Sequence, residues 1–125
     1  MEQYYKLLDT MFDIKVELKE DLTEIIDEVY TKYHKTVNMS YSELERWSKT
    51  ECSKTASLDR SPIERNLKLL STKKEDWGAY EVKAANRTIS FVSRMKNMEQ
   101  GPEQSMGCPS KRDVSLKNWA YNPNK

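Results

Sequence analysis

The residues best placed to do chemistry begin with a pair of cations in an unfavourable place. Lys111 and Arg112 follow Ser110 in the stretch S-K-R-D-V-S-L-K-N-W-A-Y-N-P. Ser110 to Asp113 reads S-x-x-D, a helix start, so both cations fall in the first turn. Positive charge there opposes the helix dipole by roughly 0.3–1 kcal/mol each. Unpaired N–H groups at a helix start attract anions. Two cations beside them would make a phosphate clamp, and Lys117 would extend it. The other assignment open to Lys111 and Arg112 is ion pairing with an acidic helix elsewhere in the chain. A second basic set, Lys83, Arg87 and Arg94, falls at i, i+4 and i+11 and shares one helix face. Lys68, Lys73 and Lys74 would join that face if the preceding helix folds back. Lys111, Arg112, Lys117, Arg87 and Arg94 are therefore the expected nucleic-acid contacts, made to phosphates rather than bases.

Other chemistry has less support. His34, the one histidine, sits at a helix end, and Cys52 and Cys108 are the two cysteines. No C-x-x-C or H-x-x-x-H spacing joins them, so no metal and no cofactor is expected. The thiols are expected to be reduced, as in a cytoplasmic protein. There is no Gly-rich phosphate loop and no G-x-S-x-G. The chain reads as a non-enzyme.

The elements that must carry these residues are helical. From Asp76 to Met98, Trp77, Tyr80, Ala84, Thr88, Phe91, Met95 and Met98 recur at three- and four-residue steps, the apolar stripe of an amphipathic helix. With Asp76 as N-cap and Gly101-Pro102 as stop, about 22 residues would span roughly 33 Å. Before it, Leu22, Ile25, Ile26, Val29, Tyr30 and Tyr33 predict a helix from Asp21 to about Lys35. Ser40-Tyr41-Ser42-Glu43 is a capping box opening a short helix to about Glu51, with Leu44 and Trp47 buried. Ser61-Pro62-Ile63-Glu64 repeats the box; its helix turns Ile63, Leu67 and Leu70 inward and Arg65, Lys68 and Lys73 outward. A last short helix starts at Ser110 and ends by Asn122-Pro123. Residues 3–19 step partly like a helix and partly like a strand, and since a lone strand has no partner elsewhere in the chain, a helix or extended arm is expected. The expected fold is all-α, a compact bundle of about five helices around one long central helix.

A length of 125 residues suits one domain, and 37% hydrophobic with 33% charged residues fits a modest core under a charged surface. No apolar run reaches the roughly 20 residues of a membrane span. The net charge of +1 hides a split. Residues 1–36 hold nine acids against five lysines, and residues 37–125 eleven acids against sixteen Lys and Arg. This divides the chain into an acidic N-terminal segment or arm, 1–36, and a basic helical core, 37–125. Such asymmetry hints at nucleic acid on the basic side, the alternative being an acidic helix packed beside basic ones in a solvated bundle. The acidic segment, with Tyr4, Tyr5, Leu8, Met11 and Phe12, is alternatively a protein-contact surface or a homodimerisation arm.

From Val37 onward the chain resembles a family of small bacterial and phage proteins, a domain of unknown function with some members labelled DNA-binding. The resemblance is carried by V-N-M-S-Y-S-E-L-E-R-W at 37–47, T-E-C-S at 50–53, L-L-S-T-K-K-E-D at 69–76, S-F-V-S-R-M at 90–95 and S-L-K-N-W-A-Y-N-P at 115–123. It implies a compact helical fold and association with DNA. The rival expectation is a protein–protein module, such as a phage-encoded inhibitor or adaptor of a host protein.

Overall fold

A computed structural model of the chain describes residues 19–125, with side chains from residue 22 onward. The tyrosines and apolar residues of the expected arm, Tyr4 to Phe12, lie outside the described residues. Among the described residues five α-helices follow one another: α1 Lys19–Thr36, α2 Tyr41–Ser48, α3 Ser61–Ser71, α4 Ala79–Met95 and α5 Lys111–Asn118. Short 3₁₀ turns at Cys52–Lys54, Lys74–Asp76 and Ser105–Gly107 lie between them. There is no strand among the described residues, and the all-α bundle is as the periodicity predicts. No helix among them is long and apolar enough to cross a membrane.

Helix α4 is the central element, but it is shorter than expected. Its 17 residues span about 26 Å at 1.5 Å per residue. Asp76 is not its cap. Gly78 takes that place, and its N–H donates to Glu81 Oε1 at 2.8 Å, satisfying one of the donors that a helix start leaves open. Trp77, buried just ahead of the helix, packs edge-on against Tyr30 and Tyr33 of α1. Val82, Ala85, Ile89 and Val92 form the buried face of α4. Tyr80 and Met98, expected on the apolar stripe, are exposed instead.

Helix α1 lies along α4 and is anchored by Tyr33, which is fully buried. Residues 19–36 of the acidic segment are thus packed into the body. The Ser40 box forms as expected: Glu43 N–H donates to Ser40 Oγ and Ser40 N–H to Glu43 Oε1. The Ser61 box does not. Ser61 Oγ donates to Asp59 Oδ1 at 2.7 Å, while the Glu64 N–H donates to Arg60 O. Asp59, two residues upstream, wins because its carboxylate is a charged acceptor that takes both the Ser61 hydroxyl and the Ser61 N–H. The inward face of α3 is Pro62, Ile63, Asn66 and Leu69, with Leu67 and Leu70 only half-buried.

Three helices meet at Asn66. Its Oδ1 accepts from Tyr33 Oη at 2.8 Å and from Thr88 Oγ1 at 2.9 Å, and its Nδ2 donates to Pro62 O. Each of these side chains is fully buried, so the network fixes α3 against α1 and α4.

The expectation of reduced thiols is overturned. Cys52 and Cys108 form a disulfide across 56 residues, tying the turn after α2 to the residues just before α5. Sequence spacing could not show this, because the approach of the two sulfurs is made by the packing of α5 on α2 and the Cys52–Lys54 turn.

Candidate nucleic-acid interface

The S-L-K-N-W-A-Y-N-P stretch is consumed by packing. Leu116 is fully buried. Asn118 Oδ1 accepts from Trp47 Nε1 at 2.7 Å, and its Nδ2 donates to Ser53 O. The Ala120 carbonyl accepts from the backbone N–H groups of Asn38 and Met39, with Ala120 itself in the left-handed region at φ 65°. Asn122 and Asn38 exchange two hydrogen bonds. V-N-M and A-Y-N, far apart in sequence, are therefore two sides of one junction.

The phosphate clamp expected at the start of α5 is not assembled. Arg112 donates through Nε and Nη2 to Asp113 Oδ1 at 3.0 and 2.8 Å, and through Nη1 to Met98 O at 2.9 Å. Gln100 Nε2 completes Asp113 through Oδ2. The partner of Arg112 is its own neighbour rather than the acidic N-terminal helix. Asp113 is buried, and the guanidinium is the charge that makes its burial tolerable. Lys117 lies with Nζ 3.9 Å from the centre of the Trp47 ring, and burial lowers its pKa. Lys111 is exposed on the first turn of α5. Lys74 pairs with Asp27 at 2.7 Å, and Arg60 is spent on Ser48 O and Ser53.

The second basic set does come together. Between α3 and α4 runs an open groove of about 450 Å³. Helix α3 contributes Ser61, Glu64, Arg65 and Lys68, and α4 contributes Tyr80, Lys83, Ala84 and Arg87. Each helix presents an i, i+3, i+4, i+7 face, the spacing that puts one row of side chains on one side of a helix. Four cations thus face one carboxylate across a concave surface. Small Ala84, buried, leaves room between the walls. Lys68 Nζ sits 4.7 Å from the centre of the Tyr80 ring. Arg65 lies over Trp119 at 5.2 Å, Trp119 stacks on Phe91 at 4.2 Å between ring centres, and Arg94 approaches Phe91 at 5.8 Å. The stacked Trp119–Phe91 pair thus lies between Arg65 of the groove and Arg94 further along α4.

Of the five residues expected at the interface, Arg87 lines the groove and Arg94 lies at the far end of its aromatic extension, while Lys111, Arg112 and Lys117 sit on α5 apart from it. Lys68 and Lys83 join Arg87 because α3 does fold back on α4. Lys73 and Lys74 do not line the groove. Arg65 and Tyr80 complete it without having been expected there. Arg65 could have been found from its i, i+3 spacing with Lys68; Tyr80 could not, because the same periodicity assigns it to the buried stripe. Among the described residues no cluster of His, Cys, Asp and Glu could hold a metal ion.

Comparison of the chain with protein-family models, with curated proteins and with solved structures found no match.

Proposed function

We propose that this chain is a small non-enzymatic protein that associates with DNA through phosphate contacts, seated in the α3–α4 groove. The observation that supports it is the gathering of Arg65, Lys68, Lys83 and Arg87 on one concave surface with Glu64 as the one acid in the lining. Such a surface raises the local concentration of phosphates and releases the counterions around them. Arg94 would extend the contact beyond Phe91. The family expected for residues 37–125 from sequence, in which some members are labelled DNA-binding, would agree with this reading.

The test is anisotropy of a labelled oligonucleotide against salt. If three to four phosphates are neutralised, affinity should fall about a hundredfold between 50 and 200 mM salt. The triple variant Lys68→Glu/Lys83→Glu/Arg87→Glu should abolish binding, and Lys111→Glu should leave most of it. No binding at 50 mM salt, or a triple variant that binds like the parent, would end the proposal.

A protein-interaction module, such as an inhibitor or adaptor of a host protein, is the second reading, and a different surface favours it. Leu58 and Met106, 83% and 98% exposed, project from two loops joined by the Cys52–Cys108 bond and by the Gln104–Thr55 hydrogen bond. On this reading, a defined partner captured from nuclease-treated lysate is lost in Leu58→Asp/Met106→Asp and kept in the groove variant. The cytoplasmic placement goes with the DNA reading, whereas the disulfide suits an oxidising compartment. Thiol labelling of the chain recovered from cells separates the two.

A further inference from the structure

We infer that the α3–α4 groove takes a single strand, with Tyr80 as the platform for an unstacked base; this deepens the DNA reading and rests on it. Shape is the first reason. The cations line a cleft of about 450 Å³, within the range that encloses a nucleotide-sized ligand. Readers of duplex DNA instead push a helix or ribbon outward into a groove of the DNA. Here the charge is recessed between two helices, where the flexible backbone of one strand can follow it.

The second reason is Tyr80. It belongs by spacing to the apolar stripe of α4, yet it is 54% exposed and stands on the groove wall. An aromatic ring beside a row of cations is how sequence-tolerant single-strand sites are built, because every base has a face to stack and every linkage a phosphate. Lys68 lies against the Tyr80 ring, so a base stacked on that ring places a neighbouring phosphate within reach of the ammonium. Lys83 and Arg87, one and two turns further along α4, would take the following linkages. A duplex hides its base faces and cannot use Tyr80 in this way.

The experiment compares fluorescein-labelled dT12 with a 12-bp duplex at one salt concentration, using the full chain and its Tyr80→Ala and Tyr80→Phe variants, with circular dichroism to confirm folding. The expected result is tighter binding of dT12 than of the duplex. Tyr80→Ala should weaken dT12 by roughly 5- to 150-fold, the range of one lost base stack, with the salt slope unchanged because no charge is removed. Tyr80→Phe should retain affinity, and an oligonucleotide carrying 5-iodouracil should photocrosslink to residue 80. Equal binding of strand and duplex, or a Tyr80→Ala variant that binds dT12 like the parent, overturns the single-strand inference. If the groove triple variant still abolishes duplex binding, the broader DNA reading survives that outcome. If neither nucleic acid binds, both are overturned together.

Discussion

Replacing Asn66 by Leu isolates what ties the two walls of the groove together. Leucine is close to asparagine in size, so the perturbation is chemical. It removes the acceptor of Tyr33 Oη and Thr88 Oγ1, both fully buried. A buried donor left without its acceptor costs about 1–3 kcal/mol. Two such donors make roughly 2–6 kcal/mol, offset by about 1 kcal/mol for the apolar surface that leucine adds. The net expectation is a loss of about 1–5 kcal/mol, a large part of the stability of a domain this size. Urea unfolding followed by tryptophan fluorescence would measure it, and a double-mutant cycle would assign it. Tyr33→Phe alone should cost about 1 kcal/mol, but in the Asn66→Leu background it should be neutral or stabilising, because it then removes an orphaned hydroxyl. A cost below about 1 kcal/mol for Asn66→Leu, or the same effect of Tyr33→Phe in both backgrounds, would refute the reasoning.

Three further outcomes follow from the structure. Arg112→Ala leaves the buried Asp113 carboxylate with Gln100 as its remaining side-chain partner and should cost about 2 kcal/mol, less than the roughly 3–5 of a fully buried pair because Arg112 keeps 17% of its side chain exposed; Asp113→Asn in the same chain should recover part of it, and equal unfolding midpoints for parent and single variant would contradict the role given to the pair. Reduction of Cys52–Cys108, which closes 56 residues, should lower stability by about 4 kcal/mol on the chain-entropy estimate, read as a drop in melting temperature with dithiothreitol that a Cys52→Ala/Cys108→Ala variant no longer shows. The Lys125 ammonium and the Ser40 N–H hold the Glu43 carboxyl down at about 2. The folded value lies below the unfolded one, so this contribution to stability is complete above the ordinary carboxylate range and is lost as pH falls toward 2. Lys125→Ala should move the Glu43 titration, followed by NMR, up toward 4.5, and an unmoved titration would show that Lys125 does not set it.

Much of the fold was legible because helix formation here is a local matter. The stripe Leu22 to Tyr33, the Ser40 box and the Pro62 start are read within a few residues of themselves, and α1, α2 and α3 lie where they point. Boundaries were less legible. α4 starts three residues after its expected cap because Glu81 reaches back to Gly78, a choice between two short-range hydrogen bonds that composition does not decide. The face assigned to Tyr80 was misread because a periodic stripe says which residues share a side of a helix, not how far a neighbouring helix covers it.

By itself, then, the sequence determined the all-α character of residues 19–125, their helix order, the apolar faces available for burial and the sharing of one face by Lys83 and Arg87. Only the tertiary structure decided which neighbours each cation meets. Arg112 is drawn to Asp113, Lys117 to Trp47 and Lys74 to Asp27, while Arg65 and Lys68 are carried across to Lys83 and Arg87. The same holds for the disulfide. Whether a charge is neutralised, or a thiol meets another, depends on distances between segments tens of residues apart, and those are set by the packing of whole helices rather than by any local pattern.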